Sequence, residues 1–128
     1  MSYVFKRSIE GAFDDVVQRT IAALKAEGFG LLSDLDIQAT LKAKLGVDFE
    51  RYRILGACNP PLAHQSLLAE PTIGVMLPCN VIVRQTSPGT VEVAAINPLA
   101  SIGEIGNPRL TPVAAEVAEK LQRVVANA

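Results

Sequence analysis

Cys58 and Cys79 are the only thiols in the chain, and His64 is its only imidazole. Cys58 stands in the run Cys58-Asn59-Pro60, where a strand should give way to a helix. A thiol beside a helix N-terminus can be shifted toward thiolate, which suits a nucleophile or a metal ligand. The simpler reading is a small buried hydrophobe at a tight strand-to-helix turn. Cys79 lies between Pro78, which bends the chain, and Asn80, which can bond nearby backbone. Cys58, His64 and Cys79 together could hold zinc or copper(I) with one coordination position left open. Their spacing matches no recognised metal pattern, since there is neither a Cys-x-x-Cys pair nor a histidine cluster. Cysteine–histidine catalysis would need His64 within reach of a thiol and a third group to orient it, whereas a lone histidine on a short helix reads as a surface or cap residue.

The remaining chemistry is sparse. Asp34 and Asp36 are two apart, so on an extended backbone they could act as paired carboxylates, but a turn with Asp36 capping the next helix explains both more simply. No nucleophile elbow or phosphate loop is present. Gly28-Phe29-Gly30 follows a helix, the wrong context for a dinucleotide fingerprint, and reads as a cap and a bend. The stretch with Ser101, Gly103, Glu104 and Gly106 could act as a lid or simply connect elements.

The elements that must position these residues are readable in part. Tyr3 to Arg7 alternates as a strand. Phe13, Val16, Val17, Thr20, Ile21 and Leu24 form a helical stripe that Gly28 closes, and Gly30 to Asp34 is expected to return as a strand beside the first. A short helix should run from Asp36 to Leu45, with Ile37, Leu41 and Leu45 on one face and Gly46 ending it. Tyr52 to Cys58 reads as a strand, and the Asn59 cap with Pro60 starts a helix through Leu68. Ile73 to Arg84 suggests one strand before Pro78 and another from Val81. Ser87, Pro88 and Gly89 turn the chain into a strand over Thr90 to Ile96, placing Arg84 opposite Glu92. Leu99 to Arg109 reads as an irregular connection. Thr111 is expected to cap a last helix striped by Val113, Val117, Leu121 and Val124.

The chain has 128 residues, 49% hydrophobic and 20% charged, enough for one core and the size of one domain spanning 1–128. Its 12 basic and 13 acidic residues leave a net charge of -1 with no run of either sign. Nucleic-acid binding, which needs clustered Lys and Arg, is not expected. Neither a secretory signal nor a stretch long enough to span a bilayer is seen, so no membrane partner is expected, and the expected location is the cytoplasm, where both thiols stay reduced. Strands and helices interleave without a regular βαβα pattern, which points to an α+β, two-layer sandwich of helices on a largely antiparallel sheet.

The segments Gly56-Ala57-Cys58-Asn59-Pro60-Pro61 and Met76-Leu77-Pro78-Cys79-Asn80-Val81, with Gly28-Phe29-Gly30 and Asp36 before them and Asn97-Pro98 after, resemble domain-of-unknown-function family 302 over almost the whole chain. The family is a small bacterial and archaeal α+β domain without an established activity. The resemblance implies a fold and a shared site; it names no reaction, the cofactor is unknown, and it does not extend to His64. The expected function is a small binding domain whose pocket is lined by Cys58, Asn59, Pro60, Pro78, Cys79 and Asn80 with Asp36, serving a small ligand or a thiol-linked role. The alternatives are a thiol enzyme or redox protein using Cys58 with Cys79, a structural dimer module, and metal binding through Cys58, Cys79 and His64. A homodimer is expected, because strongly β-branched strands should leave a sheet edge for a partner to cover.

Overall fold

Five strands and five α-helices are arranged in the computed structural model, which describes residues 1–128. They follow the order β1 (Val4–Glu10), α1 (Phe13–Ala26), β2 (Gly30–Asp36), α2 (Ile37–Leu45), β3 (Tyr52–Cys58), α3 (Pro60–Ala69), β4 (Cys79–Ser87), β5 (Thr90–Ile96), α4 (Pro98–Ile102) and α5 (Thr111–Asn127), with 3₁₀ turns at Pro71–Met76 and Gly103–Ile105. The strands form one sheet in the order β1-β5-β4-β3-β2, every neighbouring pair antiparallel. This is the α+β two-layer architecture that the alternation of elements implies. No helix is long and apolar enough to cross a membrane.

Period-two alternation decides which face is covered. Leu55, Ala57, Val81, Val83, Val91, Val93 and Ala95 all point into the core, and α1 and α5 lie over them through Val16, Val17, Leu24, Val117, Leu121 and Val124. The α5 stripe is buried as its spacing requires. Arg7 of β1 ties the end of α5 to the sheet: its Nε donates to Val125 O at 2.9 Å and its Nη2 to Ala128 O at 2.6 Å. Arg84 stands opposite Glu92, as expected, and donates to it at 3.0 Å and to Glu50 at 3.0 Å. Those two hydrogen bonds, the Glu92 one first, raise the Arg84 pKa.

Four expectations are corrected. β2 does not return beside β1; the two are opposite edges of the sheet, and α1 crosses the sheet between them. A helix fixes that the chain returns but not how many strands it passes over, because the gap between β1 and β3 is later filled by β5 and β4. The apolar run before Pro78 is a 3₁₀ turn, not a strand: Pro71 starts it and only Ile73 is buried. Short apolar runs cannot be separated into strand and helix by periodicity. α5 begins at Thr111, but its cap position is Leu110 and no side chain caps it. The supposed loop after Leu99 contains α4 and a 3₁₀ turn. In addition, the face of α2 is only half covered, with Leu45 69% exposed, and Ser87 pairs with Thr90 so that Pro88 and Gly89 alone make the turn after a bulge in β4.

Leu121 is fully buried between α5 and the sheet, whereas Leu45 projects from α2 into solvent. Leu121→Ala is expected to lower unfolding free energy by about 2–5 kcal/mol through lost burial and a cavity, and Leu45→Ala by less than about 0.5 kcal/mol. Urea denaturation of both variants measures the difference; similar losses would contradict the core assignment.

Candidate functional site

Three central strands stop or start at one level of the sheet. β3 ends at Cys58, β4 begins at Cys79 opposite Ala57, and β5 ends at Ile96. Each of the two ending strands is followed by Asn and Pro. Asn59 caps α3 with its side chain accepting a long hydrogen bond from Leu62 N at 3.5 Å, and Asn97 caps α4 by accepting from Leu99 N at 3.1 Å. Pro60 and Pro98 then take the first helical positions, where a missing N–H costs nothing. Asn97 is buried and also donates through Nδ2 to Ser2 O at 2.9 Å, fixing the β5 end against the β1 start.

Between this sheet end and the helices lies a cavity of about 310 Å³. Its floor is formed by Ala57, Cys58, Cys79 and Ile96 at the strand ends. Leu62, Ala63, Ser66 and Leu67 of α3 form one wall, and Ile102 of α4 with Val113, Ala114 and Val117 of α5 another; Phe29, Ile73, Met76, Leu77 and Pro78 are among the other lining residues. None of the lining side chains carries a charge. Ser33 and Pro78 both crowd Gly56, where an added Cβ would fall against Ser33 Oγ first and then within 2.9 Å of the proline ring. Glycine at 56 therefore leaves room for both the Ser33 side chain of β2 and the Pro78 ring that precedes Cys79.

Of the residues singled out by sequence, Cys58, Asn59, Pro78 and Cys79 line the cavity. Pro60 does not; it is exposed at the first turn of α3. Asn80 is exposed on β4, one residue beyond Cys79, and pairs opposite Gly56. Asp36 lies at the far end of β2 from Gly30, which stands opposite Cys58, and its Oδ1 accepts from Ala39 N at 2.9 Å as the α2 cap. Asp34 is bound instead to Arg53, whose Nε donates to Asp34 Oδ1 at 2.7 Å. That hydrogen bond raises the Arg53 pKa and removes the paired-carboxylate reading. His64 is exposed on α3, away from the cavity lining. No group of three His, Cys, Asp or Glu side chains comes together, so the Cys58, His64 and Cys79 ligand set is not assembled.

The two free cysteines differ in surroundings. Burial, with a smaller contribution from nearby Cys58, pushes the Cys79 thiol up to about 11, so it stays protonated at neutral pH. The direct cross-strand partner of Cys79 is Ala57, and Cys58 stands one residue further, opposite Gly30. The helix that should activate Cys58 presents no free donor. Pro60 and Pro61 lack N–H groups, Asn59 takes Leu62 N, and Ala63 N bonds Asn59 O at 2.8 Å. The sequence missed Phe29, Ile73, Ile96, Ile102, Val113, Ala114 and Val117 as cavity walls. Nothing could have marked them, because each is an apolar residue of the kind that fills a core.

A family model described as "Domain of unknown function DUF302" matches residues 5–128. A solved structure from Bacillus stearothermophilus, described as an uncharacterized conserved protein DUF302, is similar with a TM-score of 0.91 at 27% identity, covering 99% of this chain and 98% of that one. No curated protein matches the chain.

Two outcomes follow. Gly56→Ala should cost about 1–3 kcal/mol by displacing the Ser33 side chain and the Pro78 ring, seen as a lower denaturation midpoint; an unchanged midpoint would contradict this close packing. Between pH 9 and 11 the folded chain keeps a proton on Cys79 that the unfolded chain, at the ordinary 9.0, gives up. Stability should therefore fall by roughly 2 kcal/mol as pH rises through that window, and Cys79→Ala should remove that part of the slope in pH-dependent melts. An identical slope in the variant would contradict the burial of the thiol.

Proposed function

The chain belongs to the DUF302 family of domains of unknown function, and on that premise we propose that it is a small-ligand-binding domain whose site is the cavity between the ends of β3, β4 and β5 and the helices α3, α4 and α5. The observation that carries the reading is the cavity itself. Its volume of about 310 Å³ is at the lower end of the range for ligand pockets, and it is mostly apolar with a few converging polar groups, as such pockets are. The Cys58-Asn59 and Pro78-Cys79 segments supply the polar end of the lining. A thiol-dependent enzyme is less well supported, since the position of Cys58 carries no free helix donor and no histidine faces it.

We propose also that a second copy of the chain covers the edge at β2. β2 has no strand on its outer side and carries Leu31, Leu32 and Leu35 at 40%, 66% and 51% exposure. An apolar, unpaired edge of this kind is ordinarily covered or charged. Sedimentation at micromolar concentration is expected to give a dimer that Leu32→Lys with Leu35→Lys converts to monomer; a wild-type monomer would reject it.

The binding reading is tested with N-phenyl-1-naphthylamine, an uncharged dye that brightens in apolar surroundings. Wild-type protein should bind it at one site. Ala114→Phe and, separately, Ala63→Phe should fill the cavity and weaken binding at least about tenfold, a loss of about 1.4 kcal/mol, while circular dichroism shows each variant folded. Binding unaffected by both substitutions, or no binding by wild type, would reject the site.

A further inference from the structure

Three residues that line the cavity also face solvent and so mark its mouth: Leu32 of β2 at 66% exposure, Leu67 of α3 at 41%, and Met76 of the turn before β4 at 38%. The lip continues outward in apolar side chains, since Leu68 and Val75, next to Leu67 and Met76 in the chain, are exposed as well. The turn lies against α3 here, where a Cβ on Gly74 would meet Leu67 Cδ2 at 4.0 Å. Leu32 reaches the mouth through an irregularity of the sheet. Leu31 pairs with Ala57 and Ser33 with Gly56, so Leu32 is the extra residue of a bulge and has no partner on β3. A bulge re-aims a side chain at the expense of ladder pairing. An exposed leucine adds little to the core, and apolar side chains grouped in water around an apolar cavity mark a binding mouth.

The polar side chains of the lining are committed to the protein. Ser66 Oγ donates to Leu62 O at 2.9 Å, and Ser101 Oγ to Pro98 O at 3.3 Å. The Asn59 side chain is divided between Leu62 N and Glu27 O, and no buried side-chain nitrogen or oxygen lacks a partner. The lining holds no charged side chain, and the segments around the mouth, residues 30–33, Pro60–Ala69 and Pro71–Met76, contain no Lys, Arg, Asp or Glu. Glu70 accepts from Asn107 Nδ2 at 3.0 Å, and the exposed His64 stands outside the lining. A carboxylate or phosphate would therefore shed water at the mouth and inside it and gain no cationic partner. A cavity of about 150 Å³ accepts benzene, so one of about 310 Å³ accommodates roughly ten carbon atoms.

We infer that the site selects uncharged apolar molecules of roughly ten carbons, of the medium-chain alcohol and neutral ester class, entering between Leu32, Leu67 and Met76. It rejects the corresponding acids because neither the mouth nor the lining offers them a cation. This rests on the cavity being a binding site. Leu67 is then a position that sets specificity: a cation placed there supplies the partner that an acid lacks.

Decanol and decanoate, equal in chain length, are titrated against N-phenyl-1-naphthylamine bound to the full chain at about pH 8, where a carboxylic acid is ionised. Decanol should displace the dye at a concentration at least about tenfold lower than decanoate. From hexanol to decanol the affinity should rise about fourfold for each added methylene. Leu67→Lys should narrow the preference for decanol at least about threefold, whereas Leu67→Gln should leave the ratio unchanged. Leu32→Asp should weaken decanol at least about fivefold. Leu35→Asp, on the same sheet edge but outside the lining, should not, which separates the mouth from any pairing of that edge. Circular dichroism checks that each variant is folded. Equal displacement by decanol and decanoate would overturn the uncharged class. A ratio that ignores Leu67→Lys, or equal effects of Leu32→Asp and Leu35→Asp, would overturn the entrance. Absence of dye binding by the wild-type chain rejects the site and this inference with it, whereas a bound dye that decanol cannot displace rejects the inference and leaves the site standing.

Discussion

Everything at the site depends on one constraint: the middle of the sheet ends at a single level. Cys58 and Ile96 are the last residues of strands running one way, and Cys79 is the first of the strand between them running the other. Asn59 and Asn97 enforce the stop, because each exchanges strand pairing for a helix cap, and the prolines that follow cannot extend a ladder. A cap of this kind contributes about 1 kcal/mol, small against the core, but it acts at the position where the chain must choose between continuing and turning. Since both turns occur side by side, α3 and α4 leave the sheet together and the space between them is roofed by the first turns of α5.

The same geometry makes the two thiols unequal. Pro78, which crowds Gly56 together with Ser33, precedes Cys79 in the paired region of β4, where neighbours strip it of water and hold its proton. Cys58 is the last residue of β3, paired with Gly30 of β2 but with no partner on β4. Pro60 and Pro61, which make α3 start where it does, also deprive that start of the N–H groups that usually draw a thiol toward thiolate.

Much of this was legible in the sequence because it is local. Tyr52–Cys58 and Thr90–Ile96 emerge as read, as do the caps by Asp36 and Asn59, the left-handed Gly28 and Gly46, and the α5 stripe. What failed depends on distant contacts. Chain proximity suggests β2 beside β1, because it says nothing about strands inserted later. Ile73 reads as strand because a buried isoleucine looks the same in a 3₁₀ turn. Asp36 was drawn into the site by a family motif, although its side chain is occupied in starting α2. One wall of the cavity includes Val113, Ala114 and Val117, which are indistinguishable in sequence from residues that only pack.

The central claim is that the level end of the sheet and the helices leaving it enclose a place for a small apolar molecule. Methyl-labelled protein titrated with naphthalene and followed by NMR tests this most directly. The account predicts saturable shifts confined to the methyls of Leu62, Ile73, Ile96, Val113 and Val117, which surround the cavity from three elements and a turn. Shifts centred instead on Leu35, Leu45 and Val47, the exposed apolar residues elsewhere on the surface, or no saturable shift at all, would contradict it.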